Sequence, residues 1–402
     1  MYSRKLTGIK YKLKSNKKII YFYKSIGYDD LISSFTASPS NHEIFSLERN
    51  FLVEVFIYFL GNKVDDFNYL IKGTENKKKN YKQFVKKVFS HMKSFWGLGG
   101  FITSTVNPKA DHEMGKASKE LNLPFIVLHK EGIKTEKGRL VQKWLFKNRV
   151  GKFSGSKLIV YNNKERRAFL DINFVKKNQI TVTGCPRFDL FLKLKKTQPN
   201  KKNIVFFLIQ STYGFPYFNA KWFVPKILKQ TIKIKKTNWD NISIQYIRFI
   251  KKFIEDNKSY NITIKTKVGF TNDQLKFIGN YKHNNVKIIK GGSSYNLIKN
   301  SEIVVAFNST VVLEALAANR LLISPIDLVK DKKLLEFILK IKNNYLPIKS
   351  LSKLHNKNIN LRKLKRYNKV ELKEVFNRYL GNSNGKASIT VAKCINEHII
   401  SY

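Results

Sequence analysis

The stretch SEIVVAFNSTVVLEALAANRLLISP, residues 301–325, decides the fold of this chain. Residues 303–307 form a short continuous apolar run, which is typical of a strand buried on both faces of a parallel sheet. Residues 308–310 interrupt the run with polar side chains that favour the start of a helix. Apolar residues then recur at helical spacing, and residues 321–323 begin a second strand. The stretch therefore predicts a strand, a polar turn, a helix and another strand.

The polar turn and the helix after it suit a nucleotide. A helix start that follows a buried strand presents free backbone N–H groups and the positive end of the helix dipole to a phosphate. Asn308, Ser309 and Thr310 supply polar side chains at this point. Glu314 follows Thr310 by about one helical turn, where its carboxylate can accept hydrogen bonds from the two hydroxyls of a ribose. A plain helix cap without a ligand is the alternative for Ser309 and Thr310.

Short strands alternate with single helices from Gly99 to the end of this stretch, which predicts parallel sheets with right-handed crossovers. A basic, polar segment at residues 193–202 separates two such α/β units, and a helix over residues 386–400 closes the chain. Before Gly99 the sequence predicts helices over residues 45–72 and 81–95. Exposed lysines at residues 77–79 mark a break between them.

Composition bounds the class of protein. The chain has 402 residues, 43% hydrophobic content and a formal charge of +48, from 76 basic and 28 acidic residues. Its bias toward Lys, Asn and Ile is what an AT-rich genome produces, whereas a functional origin of the charge predicts an anionic membrane surface or a polyanionic acceptor as partner. No DNA- or RNA-binding motif is present, so we expect no nucleic acid partner.

Two cysteines without zinc spacing, Cys185 and Cys394, fit a reducing cytoplasm and argue against a structural metal. The longest apolar stretch, residues 51–60, is shorter than the ~20 residues that span a bilayer. We therefore expect a cytoplasmic protein that can lie on the inner face of a membrane.

The first α/β unit carries its polar groups after strands. His129 and Glu131 directly follow the apolar strand 125–128, and Asp189 follows the tight turn that ends the next but one strand. The carboxyl ends of parallel strands are where such folds build their sites, and two carboxylates are the usual equipment of glycosyl chemistry. We expect the strand-end position of Glu131 to raise its pKa for proton transfer. The structural alternatives are an ion pair of Asp189 with Arg187, or a cap on the following helix.

Two lysines follow a strand of the second unit. Lys265 and Lys267 stand where they can neutralise a nucleotide phosphate without a metal ion, and a solvated edge is the alternative. The sequence has no phosphate-binding loop ending in Gly-Lys-Ser/Thr and no DxD metal motif.

Three motifs carry a resemblance to a known class of enzymes: LHKEG (residues 128–132), VTGCPRFD (182–189) and FNSTVVLEAL (307–316). In this order they resemble the motifs of bacterial glycosyltransferases that build capsule and lipopolysaccharide. The chain is similar to Kdo-transferase-like and CDP-glycerol-transferase-like families. The resemblance covers the chain from about residue 99 onward.

The resemblance implies the GT-B fold, in which two Rossmann-like α/β domains face each other across a cleft and a C-terminal helix crosses back. It implies an acceptor-side domain with a helical N-terminal region over residues 1–196. A nucleotide-sugar-binding domain over 197–380 and the crossing helix over 381–402 would follow.

The implied function is transfer of a sugar, such as Kdo from a CMP donor, to a glycan or glycolipid, without a cofactor or metal. Glu131, Asp189 and His129 would act on the sugar, and Lys265, Lys267, Asn308, Ser309, Thr310 and Glu314 would bind the donor. The alternatives are a CDP-polyol phosphotransferase of the same fold, or a non-catalytic basic scaffold that binds polyanionic glycan or nucleic acid.

Overall fold

The chain folds into two units, each built on a mainly parallel β-sheet. The first unit contains Met1–Asp189 and Asn377–Tyr402, and the second contains Leu190–Phe376. The second unit is therefore inserted between two parts of the first. This computed structural model describes residues 4–5, 17–23, 28–38, 42–65, 68–106, 109–209, 213–214, 217–218, 239–266, 283–307, 309–329, 341–355, 368–381 and 384–402.

The first unit alternates strands and helices from its second strand onward, with two helices between its third and fourth strands. Its strands are β1 (Arg4–Lys5), β2 (Lys18–Tyr23), β3 (Glu43–Glu48), β4 (Leu98–Thr103), β5 (Phe125–Leu128), β6 (Lys157–Val160) and β7 (Ile180–Val182). Its helices up to the insertion are α1 (Tyr28–Ala37), α2 (Arg49–Leu60), α3 (Glu75–Trp96), α4 (Asp111–Glu120), α5 (Glu136–Leu145), α6 (Asn163–Leu170) and α7 (Pro186–Lys193).

The strand order of this sheet, within the described residues, is β1-β3-β2-β4-β5-β6-β7. Every neighbouring pair is parallel except β1 and β3. All residues of β4 and β5 are buried. Such double burial is expected because the crossover helices of a parallel sheet cover both of its faces. The carboxyl ends of β4, β5, β6 and β7 meet along one edge, which is where the predicted polar groups follow their strands.

The N-terminal region differs from the prediction. Residues 43–48 form a strand, whereas the sequence pattern indicated a helix from residue 45. The helix α3 already begins at Glu75, so the lysines 77–79 lie inside it and do not mark a break. Short apolar runs do not distinguish strand from helix by periodicity alone. Residues 43–48 form a strand because they pair with β2. The α/β pattern therefore begins at Lys18 and not near residue 99.

The second unit repeats the same plan. Its strands are β8 (Asn200–Phe207), the short pair β9 (Tyr213–Gly214) and β10 (Tyr217–Phe218), β11 (Asn261–Thr266), β12 (Val286–Lys290), β13 (Ser301–Val305), β14 (Leu321–Ser324) and β15 (Leu346–Pro347). Its helices are α8 (Trp239–Asp256), α9 (Tyr295–Asn300), α10 (Val311–Ala317) and α11 (Lys369–Leu380), the last of which runs into the returning part of the first unit.

The main sheet of the second unit has the described order β12-β11-β8-β13-β14-β15, and all its pairs are parallel. Numbered along the chain this is 3-2-1-4-5-6, the strand order of a dinucleotide-binding Rossmann sheet. The order reverses between β8 and β13, and sheets of this type bind ligands beyond the carboxyl ends of the strands at such a point. The predicted strand, turn, helix and strand of residues 301–325 are confirmed as β13, α10 and β14.

The last helix, α12 (Ala387–Ser401), returns to the first unit. It packs against α1 and contributes to the apolar core under the first sheet. That core consists of Ile19, Tyr21, Leu31, Ile44, Ile102, Ile126, Leu128, Ile159, Val391, Ile395 and Ile399.

Candidate functional site

The carboxyl edge of the second sheet holds a buried carboxylate between two hydroxyls. Glu314, in the first turn of α10, is only 6% exposed. Its Oε2 accepts a hydrogen bond from the Ser294 hydroxyl at 2.5 Å, and its Oε1 accepts one from the Thr310 hydroxyl at 3.3 Å. Thr310 immediately precedes the helix, whereas Ser294 arrives from the turn after β12. Two elements therefore converge on one carboxylate.

A glycine pair brings Ser294 to this position. Gly291 and Gly292 follow β12 with φ angles of 64° and 78°. Glycine adopts the left-handed backbone conformation with little strain, whereas other residues are strained in it. The pair therefore lets the chain turn sharply back toward α10. The Lys265 amine fastens the turn by donating a hydrogen bond to the carbonyl oxygen of Gly291. Burial lowers the pKa of this lysine.

The structure places the other predicted donor-binding residues as follows. Lys265 lies within β11 and not after it, and it is 7% exposed. Its amine donates a hydrogen bond to the carbonyl oxygen of Gly291. The Ser309 hydroxyl accepts a 3.4 Å hydrogen bond from the backbone N–H of Val311, a weak local cap. Lys267 and Asn308 lie outside the described residues.

In the first unit, His129 and Glu165 form the centre of a buried polar network. Their exposed fractions are 1% and 0%, and His129 Nε2 lies 3.4 Å from Glu165 Oε1. Glu165 also accepts hydrogen bonds from Arg139 at 2.9 Å, Gln142 at 2.6 Å and Lys134 at 3.1 Å. A buried carboxylate needs such compensation, because desolvation otherwise disfavours its charge.

The charges in this network are set by the neighbours. Burial raises the pKa of Glu165, but Lys134, His129 and Arg139 outweigh it and bring the value to about 2. Burial lowers the pKa of His129, although its contact with Glu165 acts in the opposite direction. At neutral pH the network therefore contains an ionised carboxylate beside a neutral imidazole.

Glu131 lies two residues beyond His129, with its side chain exposed to solvent. Desolvation by the surrounding protein raises its pKa. Charge interactions with Lys130, Lys134, His129 and Arg187 outweigh this effect, so the net pKa is lowered. The expected raised pKa of Glu131 was therefore wrong. The sequence pattern shows the strand end but not the cations that the fold gathers around it. An ionised Glu131 is suited to accept a proton.

Asp189 is 4% exposed in the first turn of α7. Its Oδ2 accepts a 2.7 Å hydrogen bond from the backbone N–H of Ser388, near the start of α12. The Ser388 hydroxyl in turn donates to the carbonyl of Pro186 at 3.0 Å. Asp189 thus ties the returning helix to the turn after β7.

A second buried cluster lies at the same edge of the first sheet, and sequence reasoning missed it. Asp30 of α1 is 0% exposed and accepts hydrogen bonds from the Tyr161 hydroxyl and, at 2.9 Å, from the Arg187 guanidinium. Arg187 also lies 2.8 Å from the Tyr161 hydroxyl. Burial raises the pKa of Tyr161 well above its ordinary value, and Arg187 acts against this. A pair of Arg187 with Asp189 was one alternative from the sequence, and the structure shows an ion pair of Arg187 with Asp30.

Of the two buried carboxylates that sequence reasoning missed, Glu165 and Asp30, only Glu165 lies in a recognisable local motif. Asn162 caps α6 by accepting a 2.9 Å hydrogen bond from the backbone N–H of Glu165, and this spacing of three residues is that of a helix-start motif. The motif identifies a helix start, but the burial of Glu165 depends on Arg139 and Gln142 from another helix. Asp30 has no comparable signal. No group of three or more histidine, cysteine or acidic side chains within the described residues stands close enough together to hold a metal ion.

No protein-family model matches the sequence. No curated protein sequence matches it either. Solved structures do resemble it. S. aureus MnaA, in a structure with UDP, has 10% identity and a TM-score of 0.51 over 96% of this chain and 98% of its own. The wall teichoic acid polymerase TagF has 14% identity and a TM-score of 0.51 over 96% of this chain and 90% of its own. A UDP-GlcNAc 2-epimerase from Neisseria meningitidis, bound to UDP-GlcNAc, has 11% identity and a TM-score of 0.49 over 96% of this chain and 100% of its own.

The chain has the GT-B fold. At these identities the likeness shows the fold alone. The predicted fold class, with two Rossmann-like domains and a C-terminal helix that returns to the first, is confirmed. Both GT-B domains carry buried polar clusters at the carboxyl edges of their sheets, which is the edge that binds ligands in open α/β sheets.

Proposed function

We propose that this protein is a glycosyltransferase that moves a sugar from a nucleotide donor to a hydroxyl of a surface glycan or glycolipid. The observation that carries the proposal is the Glu314 carboxylate with a hydroxyl on each oxygen, at 2.5 Å from Ser294 and 3.3 Å from Thr310. A ribose offers the same pair of O–H donors on adjacent carbons. The nucleoside would replace the Ser294 and Thr310 hydroxyls with its own.

The position of this carboxylate supports a nucleotide more strongly than its hydrogen bonds alone. Glu314 follows β13, beside the point where the strand order of the sheet reverses. Hydrogen bonds to an ionised acceptor are about twice as strong as neutral ones, and they gain further where water is excluded. A carboxylate that is 6% exposed at a ligand-binding edge is well placed for this role.

The donor that we propose carries a pyrimidine nucleotide. The motifs in LHKEG and FNSTVVLEAL resemble those of enzymes with CMP-activated acidic sugars, and this donor class remains our first choice. The similar structure of S. aureus MnaA contains UDP, so uridine nucleotides are the second choice.

The first unit supplies the groups that we propose for chemistry. The acceptor hydroxyl attacks the anomeric carbon, the bond from that carbon to the phosphate oxygen breaks, and the nucleotide leaves with the bonding electrons. Glu131, ionised because nearby cations lower its pKa, takes the acceptor's proton. His129, which burial keeps neutral, lies two residues before Glu131, with its Nε2 3.4 Å from Glu165 Oε1. Asp189 is included as a positioning residue, because it anchors α12 through Ser388.

Calorimetric titration of CMP, CDP, UDP and GDP tests the proposal. We expect a pyrimidine nucleotide to bind, and Glu314→Ala to weaken that binding by about tenfold or more, because a hydrogen bond to a charged group contributes about 1.5–3 kcal/mol. Glu374→Ala, which removes an exposed carboxylate from α11, is the matched control and should bind as the unmodified protein does. Equal affinity of the folded Glu314→Ala and control variants would remove Glu314 from the site. Failure of all four nucleotides to bind would favour the non-catalytic scaffold.

A further inference from the structure

The helix α2 is apolar around most of its circumference, but within the described residues only part of this surface is buried. Nine of its twelve residues, RNFLVEVFIYFL, are apolar or aromatic. Among those whose side chains the structure describes, only Phe56 and Leu60 are buried. Phe51 is 50% exposed and Tyr58 is 86% exposed. A helix that is apolar all round is normally buried, so this one indicates a surface that something else covers.

The helix α3 presents a basic and aromatic stripe. Lys77, Phe84, Lys87, His91 and Phe95 are all exposed and recur at spacings of three, four and seven residues, which places them along one side of the helix. Phe84 is 43% exposed and Phe95 is 87% exposed. A different side of the helix carries its buried residues, Tyr81, Val85 and Phe89.

Aromatic contacts join the two helices into one surface. The rings of Phe59 and Phe84 lie 5.3 Å apart, and those of Tyr58 and Phe59 lie 5.5 Å apart. The stripe on α3 thus continues into the exposed rings of α2. We call the whole the aromatic–basic surface, and its members are Phe51, Tyr58, Phe59, Lys77, Phe84, Lys87, His91 and Phe95.

The charge of the two helices is strongly positive. Together α2 and α3 contain one arginine and seven lysines but only two acidic residues, Glu54 and Glu75. Lys82 and Lys86 are paired with Glu120 of α4, at 2.6 and 2.8 Å. The exposed Lys77 and Lys87 give the aromatic–basic surface a positive field.

We propose that the aromatic–basic surface docks onto the headgroups of an anionic lipid bilayer. Aromatic side chains settle at the interface between headgroups and acyl chains, where an apolar ring is partly withdrawn from water. Lysines beside them attract anionic lipids. No helix within the described residues is long and apolar enough to cross a membrane, and docking of this kind requires none.

Other occupants fit these observations less well. A second copy of the chain would place the same positive helices against each other across a two-fold interface, and their charges would repel. A soluble polyanion, whether nucleic acid or glycan, would satisfy the lysines but leave Phe51, Tyr58 and Phe95 in water. A bilayer surface accommodates both classes of side chain.

Co-sedimentation with vesicles tests this proposal, which does not depend on the proposed function because it requires no nucleotide. We expect the full chain to bind vesicles that contain phosphatidylglycerol, to bind pure phosphatidylcholine much less, and to weaken as salt is added. The double variant Lys77→Gln/Lys87→Gln should weaken partitioning by about tenfold or more, since each lysine near the surface contributes about 1 kcal/mol. Tyr58→Ser/Phe95→Ser should weaken it by about tenfold through lost ring burial.

The control is Val370→Ser/Lys373→Gln on α11, where Val370 is 69% exposed and Lys373 is also exposed. It removes one apolar and one basic side chain elsewhere and should bind vesicles like the unmodified protein. Circular dichroism and melting curves check that each variant is folded. An equal loss in the control, or unchanged vesicle binding in both aromatic–basic variants, would overturn the proposal. So would lysine variants that lose heparin or RNA binding but keep full vesicle binding.

Discussion

At the scale of single residues, the buried carboxylates differ in how they are compensated. Glu314 accepts hydrogen bonds from the hydroxyls of Ser294 and Thr310, whereas Glu165 accepts them from two cations and an amide. The hydroxyls of a ligand can replace hydroxyls of the protein as hydrogen-bond donors. A buried guanidinium that loses its carboxylate partner, in contrast, destabilises the protein. Glu314 is therefore the residue that we propose for ligand binding, and Glu165 is the one for which we expect a structural role. The spacing of Thr310 and Glu314 within one stretch made this part of the site predictable, whereas Ser294 and Glu165 depend on contacts between distant elements.

Glu165→Ala should destabilise the protein by about 3–5 kcal/mol, because the buried Arg139 loses its ion pair at 2.9 Å and keeps only the longer one, at 4.0 Å, to Glu136. Urea unfolding of the variant measures this. Glu136→Ala is the control: its side chain is 47% exposed and pairs with Lys164 and Arg378 at the surface, so we expect a loss of about 0–1 kcal/mol. Similar losses in both variants would show that burial of the Glu165 pair contributes little.

Glu131→Gln should lower turnover by about 10²–10⁴-fold and leave nucleotide affinity and melting temperature nearly unchanged, because the exposed side chain serves proton transfer only. Below the lowered pKa of Glu131 the unmodified protein should lose the proposed activity in the same way, since protonation removes the base.

Asp189→Asn provides the contrast at the neighbouring strand end. The change weakens the hydrogen bond to Ser388, so its main effect should be a stability loss of about 0.5–2 kcal/mol, typical of a lost helix-start contact. Full turnover in Glu131→Gln would remove Glu131 from the proposed mechanism. A large loss of turnover in an Asp189→Asn variant of unchanged stability would indicate that Asp189 takes part in the reaction and is not only a positioning residue.

At the scale of elements, the turn between α11 and α12 is closely packed at its first glycine. Gly381 has a φ of 76°, and a Cβ there would lie 1.7 Å from the carbonyl oxygen of Tyr161. Gly385 has nearly the same φ, 74°, but a Cβ there would meet nothing within 4 Å. The two glycines share their backbone conformation and differ in surrounding space. Asn162 adds a further tie by donating a 2.8 Å hydrogen bond to the carbonyl of Tyr379.

Gly385→Ala should therefore cost only the strain of a left-handed residue, about 1–2 kcal/mol, whereas Gly381→Ala should cost clearly more. The added loss comes from the clash with the Tyr161 backbone, which the end of β6 holds in place. Differential scanning calorimetry of the two variants gives the comparison. Equal decreases in melting temperature would mean that the turn yields and that its contact with β6 is not rigid.

Sequence patterns predicted the elements unevenly, for a physical reason. The strands β5, β6, β13 and β14 are apolar runs bounded by polar turns, so their double burial is visible in the sequence. Residues 43–48 carry apolar and polar side chains without a clear period, and only pairing with β2 makes them a strand. The helix α3 extends past the lysines 77–79 because solvated lysines are good helix formers.

At the scale of the whole molecule, the buried His112 and the partly buried His398 make stability depend on pH. Burial, reinforced by Lys116 and Lys78, lowers the pKa of His112 to about 3. Burial, reinforced by Lys157, lowers that of His398 to about 4. An unfolded histidine takes up its proton near pH 6.5, so below that pH the unfolded state binds more protons than the folded state. Stability is therefore present at neutral pH and is lost on acidification.

We expect the melting temperature to fall steadily from pH 7 to pH 4.5, with about 2–3 kcal/mol of the loss from His112 alone. His112→Phe keeps a ring against Tyr69, whose ring lies 4.1 Å from that of His112, but removes the titration, so it should flatten this slope. His91→Gln, at an exposed position, is the control and should leave the slope as it was. A slope that His112→Phe does not change would assign the acid sensitivity to other groups.

The insertion of one unit within the other has a consequence for synthesis of the chain. The first sheet buries Val391, Ile395 and Ile399 in its core, and the ribosome makes these residues only after the whole of Leu190–Phe376. Domains usually fold in the order in which they emerge. Here the second unit has its complete sequence first, while the earlier unit waits with an unfilled groove beside α1. During that interval the exposed apolar groove is the part of the nascent chain that a chaperone would have to shield.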